Sequence, residues 1–416
     1  MTKSYLRYAL AVIFFANFLS YLDRQVVSAL EHQLKHAFHL NTREFGYVGS
    51  AFTVGYMVFA PIVGFLIARH RRPRIFALCV IVWSIATICS GIAPNKYTLY
   101  ATRFSIGAGE AGCLVIGPTL LSDYFPQEVR GRILSLFFLA LPLGGATGYI
   151  AGAQINELWG WKAAFYIAGA PGFLVAALIW NLIDPTPSGV PADPHHPQVK
   201  GIRPYFDLLR NRTLLFIILA QAFAVIFLQP FLHFGVGFFE EERHLTKKAA
   251  TLGLASLALI AGALGNALSG FIGDRLAKTR KGAYALLAAV AFLTGLPFMV
   301  AGFTLEQRAL FFPALGFGAF CYFLCMPAVN TQIANSVAPE KRAMAYALAV
   351  FILHCLGDTA ALPIFGQVSD MVGGKKTAFT IFSFALLLAS VSCLLAYRFA
   401  GDEERPRPET AKAGPA

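Results

Sequence analysis

Hydrophobic and polar residues follow one another along this chain in long blocks. Apolar stretches of 18 or more residues recur from one end to the other, and short polar segments separate them. An α-helix needs about 20 apolar residues to cross a bilayer. The pattern therefore predicts twelve membrane-spanning helices, near residues 8–30, 45–68, 75–93, 98–123, 132–154, 162–183, 213–238, 248–272, 283–303, 307–334, 343–368 and 377–398.

One connection between the predicted spans is long, and it opens with the sequence DPTPSGVPADPHHP at Asp184. A segment this rich in proline forms neither a helix nor a packed core. We therefore expect an all-α polytopic membrane protein in four parts. These are an N-terminal six-helix bundle at 1–183, a cytoplasmic linker at 184–212, a C-terminal six-helix bundle at 213–400 and a disordered cytoplasmic tail at 401–416.

Composition supports a membrane location. Hydrophobic residues make up 57% of the chain and charged residues only 13%; soluble domains carry about 25% charged residues. The net charge of +12 comes from short basic clusters between the spans, so nucleic acid is not an expected partner. Most of the 34 basic residues lie on one side of the predicted membrane, which places both termini in the cytoplasm. We expect a monomer in the inner cell membrane.

An internal repeat divides the chain into two halves. The sequence GFLIAR follows span two, from Gly64 to Arg69, and GFIGDR follows span eight, from Gly270 to Arg275. A second repeated feature is an arginine after an equivalent span, Arg130 after span four and Arg342 after span ten. Duplicated halves of this kind place a substrate site at their interface, near the bilayer midplane.

Four ionisable residues lie deep in predicted spans: Asp23, Arg103, Glu110 and Asp358. A charge at the bilayer centre costs roughly 2.5–3.5 kcal/mol on insertion scales, so it persists where it is paired or faces a wet cavity. At about 1.5 Å per residue, Asp23 and Arg103 lie at one height, and Glu110 lies two turns from Arg103 on the same face. We predict that Asp23 pairs with Arg103 and that protonation of Asp23 or Glu110 weakens the arrangement, as in a proton switch. A purely structural ion-pair cluster is the alternative.

Further candidates for substrate binding or gating are Tyr21, Arg24, His233, His354 and Asp358. His354 and Asp358 are one turn apart, so they share a helix face. They can form a second titratable site, bind polar groups of the substrate, or make a hydrogen bond that packs helices. His233 lies beside a proline and a glycine in span seven and marks a bend that can gate a cavity.

Several short motifs together carry a family resemblance. They are the loops after spans two and eight, YLDR at 21–24, RxxxGxGEA at 103–111, PxG at 142–144 and HxxGD at 354–358. The chain resembles the major facilitator superfamily and, within it, the Spinster branch of lipid transporters. The resemblance implies the major facilitator fold of two pseudo-symmetric six-helix bundles. It also implies a cytoplasmic latch at Gly64, Arg69, Arg130, Gly270, Asp274, Arg275 and Arg342. Ala68 stands where the family has the loop aspartate, so that aspartate is implied only in the second half, at Asp274.

The same resemblance implies a proton-coupled transporter that moves an amphipathic molecule by alternating access. Its substrate would be a lysolipid, a sphingoid-like lipid or a drug-like compound. A symporter of a sugar acid or another small organic anion, held by Arg24 or Arg103, is the alternative. A membrane-embedded enzyme is disfavoured because the sequence shows no nucleophile paired with a base and no HExxH motif. The seven cysteines lack ligand spacing, so we expect no catalytic residue, no metal and no cofactor besides a coupling proton.

Overall fold

A computed structural model describes residues 1–67, 69–125, 133, 136–185, 207–337 and 342–403, excluding the side chains of residues 122, 342, 343 and 401–403. Most of the predicted linker and tail lies outside the described residues. Ala68 and Arg130 also lie outside them, and Arg342 is described by its backbone alone.

Within these ranges, twelve helices are long and apolar enough to cross a membrane, which confirms the predicted number and the all-α class. Spans one to six are Lys3–Ala29, Thr42–Ile67, Arg72–Gly91, Lys96–Leu121, Leu136–Trp159 and Trp161–Trp180. Spans seven to twelve are Arg212–Glu241, Lys247–Ala277, Ala283–Thr304, Arg308–Asn335, Met344–Val372 and Lys375–Ala400. A short helix, Glu31–Phe38, connects spans one and two.

Polar residues at the helix starts explain why several spans begin earlier than hydropathy predicts. The side chain of Thr2 accepts a hydrogen bond from the backbone N–H of Tyr5 and caps span one. Asn95 caps span four in the same way, and Thr246 caps span eight. A capping oxygen satisfies a backbone N–H that has no partner within the helix. The helices therefore extend into polar sequence that a hydropathy profile assigns to loops.

Among the residues that the structure describes, two spans are interrupted by π-helical turns. Span eight consists of Lys247–Ser256, a π-helical turn at Leu257–Ala261, and Gly262–Ala277. Span eleven consists of Arg342–Leu353, a π-helical turn at His354–Thr359, and Ala360–Val372. Such turns widen the helix locally and are frequent at functional sites. Span twelve is divided between Lys375–Ser383 and Ala385–Glu403.

Contacts divide the chain into two units. The first contains Met1–Pro197, Ile226–Ile260 and His354–Phe382, and the second contains Gln198–Val225, Ala261–Leu353 and Ser383–Ala416. In the first unit, span one packs on span five, span two on span four, and span three on spans four and six. In the second unit, span nine packs on spans ten and twelve. The boundaries at 183 and 212 that the sequence suggests stay predictions.

The first unit has a buried apolar core to which spans one to six all contribute. Phe76 and Trp83 of span three, Ile106 and Ile116 of span four, and Phe137 at the start of span five are all nearly inaccessible. This core fixes the helices whose polar side chains form the candidate site.

Candidate functional site

Spans two and four approach each other to backbone contact beside the site. A Cβ atom on Gly107 would lie 1.9 Å from the carbonyl oxygen of Phe52. A Cβ atom on Gly55 would lie 2.0 Å from the carbonyl oxygen of Phe104. Only glycine permits so close an approach. As a result, the guanidinium carbon of Arg103 lies 5.2 Å from the centre of the Phe52 ring.

Glu110 of span four is completely buried and forms an ion pair with Arg24 of span one. Nε of Arg24 donates a hydrogen bond to Oε2 of Glu110 at 2.7 Å, and the Ser20 hydroxyl donates to the same oxygen at 2.8 Å. The Arg24 guanidinium also lies 4.8 Å from the ring centres of both Tyr21 and Phe52. The carboxylate and the two ring faces together hold this cation in one position.

The predicted pairing of Asp23 with Arg103 is wrong. Asp23 accepts a hydrogen bond of 2.6 Å from the Thr87 hydroxyl of span three. In the part of the chain that the structure describes, no nitrogen of Arg103 lies within 4.0 Å of the Asp23 carboxylate. The rise per residue indicates the height of both groups along the helix axis, but not the direction in which each points around that axis. Adjacent helical residues point about 100° apart, so Arg24 faces Glu110 while Asp23 faces span three.

Arg103 retains free donors. Its side chain is 3% exposed, and Nε and Nη1 have no hydrogen-bond partner among the described residues. Asp23 and Glu110 lie within electrostatic range of it. A buried guanidinium normally uses most of its five N–H groups, because an unpaired buried donor is costly. Arg103 is therefore suited to bind an acceptor that enters from outside the protein.

Span eleven contributes a second pair of polar side chains in direct contact. Nδ1 of His354 and Oδ2 of Asp358 are 2.6 Å apart, so the proximity expected from their spacing is observed. Both residues belong to the π-helical turn, and the His354 ring lies 5.5 Å from the Tyr56 ring of span two. The other carboxylate oxygen of Asp358, Oδ1, is buried without a partner within the described ranges. This oxygen is an acceptor available to a ligand.

His233 connects span seven to the first two spans. Its Nε2 lies 3.2 Å from the carbonyl oxygen of Phe45, and its Nδ1 lies 3.5 Å from the Ser28 hydroxyl. Because a carbonyl only accepts, we assign the ring hydrogen to Nε2, which leaves Nδ1 to accept from Ser28. The ring also stacks on Phe45 with 4.5 Å between the centres. The predicted gating residue thus lies at a packed junction of three helices.

These side chains border one cavity of about 120 Å³, which lies within the first contact unit. That volume holds on the order of ten water molecules, or a polar headgroup of similar size. Arg24 and Arg103 reach it from spans one and four, His233 from span seven, and His354 and Asp358 from span eleven. The wall also contains uncharged polar groups and apolar side chains; the polar residues are Gln25, Ser28, Thr53, Tyr56 and Gln229, and the apolar ones are Gly49, Phe52, Leu114, Leu232 and Leu362.

The predicted latch residues lie at the ends of spans two and eight, each within its own contact unit. Gly64 and Gly270 have open space where a side chain would be. The Arg69 guanidinium lies 4.2 Å from the Phe65 ring centre, and Arg275 is exposed at the end of span eight. Asp274 accepts a hydrogen bond of 2.5 Å from the Tyr284 hydroxyl. The latch itself stays a prediction, because its remaining members Arg130 and Arg342 lie outside the described side chains.

A polar cluster at the start of span three was not anticipated from the sequence. The backbone N–H and guanidinium of Arg72 donate to the Asp184 carboxylate at 2.8 to 3.1 Å, and Nη1 donates to Asp123 at 2.7 Å. The nearby Tyr124 hydroxyl donates to the carbonyl oxygen of Ile183 at 2.6 Å. The cluster joins the start of span three to the ends of spans four and six. The sequence showed Arg72 only as one of many basic residues between spans.

The twelve spans and the charged internal cavity define a multi-pass membrane protein with the architecture of a solute transporter. The family model described as the Major Facilitator Superfamily matches residues 13–362. The chain belongs to this superfamily, in which its relatives are Spinster proteins, and it is a transporter and not an enzyme.

The Sphingosine-1-phosphate transporter SPNS2 of Mus musculus is 30% identical over 384 residues, which cover 87% of this chain and 69% of that protein. Protein spinster of Drosophila melanogaster is 27% identical over 380 residues, or 88% of this chain. The chain spans only 62% of that relative's length.

Solved structures agree on the fold. A bacterial homolog to the human lysosomal transporter Spinster, in an inward-facing and unoccupied conformation, matches with a TM-score of 0.87 and 21% identity. The match covers 98% of this chain and all of that one. A D-xylose-proton symporter matches with a TM-score of 0.75 and 15% identity, over 95% of this chain and 98% of that one. The predicted major facilitator fold is confirmed.

Proposed function

We propose that this protein moves an amphipathic molecule with an anionic headgroup across the membrane by alternating access, and that protons drive the movement. The observation that carries the proposal is the buried guanidinium of Arg103, which borders the cavity with Nε and Nη1 unbonded within the described chain. Arginine binds carboxylate and phosphate oxygens through paired N–H groups. An anionic headgroup would satisfy both donors.

Span eleven supports a headgroup that also carries a positive charge. Asp358 borders the same cavity, and its buried Oδ1 lacks a donor among the described residues. Sphingosine-1-phosphate, from which the mouse relative takes its name, carries both a phosphate and an amine. A lysolipid or sphingoid-like lipid of that charge pattern would place its phosphate at Arg103 and its amine near Asp358.

Proton coupling is proposed to act through Glu110 and Asp23. When Glu110 is ionised, its carboxylate holds Arg24 at 2.7 Å. Protonation of Glu110 removes the charge of that partner, and Arg24 becomes a second guanidinium available to the cavity. Proton uptake at Glu110 therefore strengthens anion binding, and proton release weakens it. Asp23 makes no direct ion pair with Arg103 but lies within electrostatic range of it, so protonation of Asp23 would act on Arg103 at longer range.

One observation favours a small organic anion as an alternative substrate. The cavity of about 120 Å³ is small and has polar and charged side chains in its wall, so it can hold a compact acid without any aliphatic tail. A sugar acid or similar anion would then bind between Arg24 and Arg103. Competition separates the two candidates, because only this one predicts that small hydrophilic acids displace the substrate at low concentration.

The membrane orientation remains part of the proposal. The basic clusters beside spans two, three, eight and nine favour both termini in the cytoplasm of a cell whose inner membrane holds the protein. Labelling of a single cysteine in the C-terminal tail by a membrane-impermeant reagent tests it. Labelling in intact cells would contradict the orientation, whereas labelling only in inverted vesicles agrees with it.

Transport in proteoliposomes tests the function. Purified protein is reconstituted with an imposed pH gradient and supplied with fluorescent lysolipids, sphingoid phosphates or small acids. We expect Arg103→Gln to lower the uptake of anionic lipids at least tenfold, whereas Arg280→Gln, which removes an exposed charge, leaves uptake unchanged. Glu110→Gln should retain substrate binding but lose acceleration by the pH gradient. Full activity of Arg103→Gln would refute the proposed anion site.

A further inference from the structure

The first contact unit holds a second buried ion network, apart from the cavity, on the face where span one meets the short helix that follows it. Nζ of Lys375, at the start of span twelve, lies 2.7 Å from Oε1 of Glu31 and 3.0 Å from Oε2 of Glu241. Glu31 begins the short helix after span one, and Glu241 ends span seven. Lys375 and Glu31 are each only 2% exposed. Three separate segments of the chain therefore meet at one buried ammonium group.

The backbone around this network is shaped to hold it. A Cβ atom on Gly237 would lie 2.3 Å from Oε2 of Glu31 and 2.4 Å from Nζ of Lys375, so the pair lies directly on this glycine. Glu242 accepts hydrogen bonds from the backbone N–H groups of Lys375 and Lys376 and caps the start of span twelve. A carboxylate at a helix N-terminus interacts favourably with the helix dipole. The network is therefore held in place by Gly237 of span seven and by the capped start of span twelve.

The ammonium group of Lys375 is shared by two carboxylates. The other charged group that faces Glu31 is Lys35 on its own helix, 3.9 Å from Oε1. Oε2 of Glu31 has no hydrogen-bond donor in the part of the chain that the structure describes. A buried carboxylate oxygen without a donor is unfavourable, and protonation removes the charge that makes it so.

We propose that Glu31 is a proton-binding site of this face: its carboxyl takes up a proton when Lys375 and Glu241 close around it, and releases the proton when the face opens to water. The proposal rests on the alternating access proposed above, but it involves none of the cavity residues. Its ligand is a proton from the medium that bathes this face.

The direction of the pH effect follows from burial. Burial raises the pKa of Glu31 above its ordinary value, and Lys375 and Lys35 oppose that rise, while Glu241 adds to it. An open face would return the carboxyl to water and to an ordinary pKa. Because the closed face binds the proton more strongly, acid favours closure, and a rise of pH through the closed-state pKa favours opening. Each unit of pKa difference changes the ratio of open to closed molecules by up to about tenfold.

Distances between spin labels on this face test the proposal. Tyr97 and Met371 are 72% and 76% exposed, and cysteines at these positions carry the labels after the seven native cysteines are replaced. The full-length protein is placed in lipid nanodiscs and measured from about pH 4.5 to about pH 8.5, on both sides of the ordinary pKa of glutamate. We expect the longer-distance population to grow as the pH rises.

Three variants decide the assignment to Glu31. Glu31→Gln keeps the shape of the protonated carboxyl, so we expect a closed face at every pH and no pH response. Glu241 contacts the same ammonium group but is 39% exposed, so the variant Glu241→Gln should retain the response of the label distance to pH. Lys375→Gln removes the charge that favours ionised Glu31, so the midpoint should move to higher pH. An open face in Glu31→Gln, an unchanged pH response in it, or a lower midpoint in Lys375→Gln would overturn the proposal.

One further variant separates this proposal from the transport proposal. In the double variant Asp23→Asn and Glu110→Gln, we expect the pH gradient to lose its effect on transport while the distances keep their response to pH. Loss of the distance response in that variant would assign it to the cavity and refute the role of Glu31. If the wild-type protein transports none of the tested substrates, the proposed function fails, while the label distances still report on Glu31.

Discussion

The contact between spans one and five can be tested by adding one methyl group at either of two nearby glycines. A Cβ atom on Gly148 would lie 2.3 Å from the carbonyl oxygen of Leu22 and 3.0 Å from Cβ of Gln25. On Gly145, one turn earlier, the nearest atom would be Cγ of Gln25 at 3.7 Å, an ordinary contact. Gly148→Ala and Gly145→Ala are therefore a matched pair in the same helix.

The expected magnitude follows from the contact distance. An ordinary contact between a carbon and a carbonyl oxygen is about 3.3 Å or longer, so Gly148→Ala requires the two helices to separate by about 1 Å. Overpacking of this kind costs about 1–3 kcal/mol. Both variants gain the helix propensity of alanine, about 1 kcal/mol, and this gain cancels in the comparison. We expect Gly148→Ala to be less stable than Gly145→Ala by about 1–3 kcal/mol.

The same displacement reaches the candidate site. Leu22 directly precedes Asp23 and Arg24, and a shift of this size lengthens the 2.7 Å contact of Arg24 with Glu110. Thermal unfolding in detergent, followed by size-exclusion chromatography, measures stability, and uptake by proteoliposomes measures function. We expect lower values of both for Gly148→Ala and near-wild-type values for Gly145→Ala. Equal melting temperatures for the two variants would refute the packing argument.

Two further variants test other parts of the molecule. Phe52→Leu removes a ring that contacts Arg24 and Arg103, and each such contact is worth roughly 0.5–2 kcal/mol; we expect a higher KM for anionic substrate with a smaller change of maximal rate. An unchanged KM would contradict this positioning role. Arg72→Gln removes the guanidinium that donates to both Asp184 and Asp123, and we expect a loss of about 1–3 kcal/mol, seen as a lower melting temperature. An exposed control, Arg280→Gln, should melt as the wild type does.

The membrane architecture was predictable because hydropathy reports it directly. A helix in lipid must satisfy its backbone internally and present apolar side chains, so each span shows as an apolar block of about 20 residues. The positions of the helix ends were harder to predict from hydropathy. Their positions depend on capping by residues such as Thr2, Asn95 and Thr246, which a hydropathy profile reads only as polar.

The candidate site was predictable in height but not in rotation. Intramembrane charges are rare enough to mark Asp23, Arg103 and Glu110, and the rise per residue places them along the membrane normal. Which residue of the adjacent pair Asp23 and Arg24 faces span four depends on helix packing, and the sequence does not encode packing locally. For the same reason the predicted partner of Arg103 was wrong.

Other members of the site carry no distinctive signal. Thr87 and Ser20 are common residue types in apolar spans, and only their contacts with Asp23 and Glu110 mark them as part of the site. Phe52 is one of 38 phenylalanines in the chain. Its position between two guanidinium groups depends on the glycines of spans two and four. Glycines one helical turn apart indicate that two helices approach closely, and they are the nearest indication in the sequence of where the Phe52 ring lies.

The π-helical turn of span eleven has a mechanical consequence. It contains one residue more than an α-helical turn, so the side chains beyond Thr359 are rotated about the axis by about 100° relative to an uninterrupted helix. Such a turn is a local change in the hydrogen-bond pattern of an otherwise regular α-helix. The π-helical turn shifts along the helix when backbone N–H groups exchange their carbonyl partners one at a time. Each exchange breaks and remakes one hydrogen bond worth about 0.5–1.5 kcal/mol. Span eleven therefore contains a position at which Ala360–Val372 can twist without unfolding, and His354 and Asp358 lie on it.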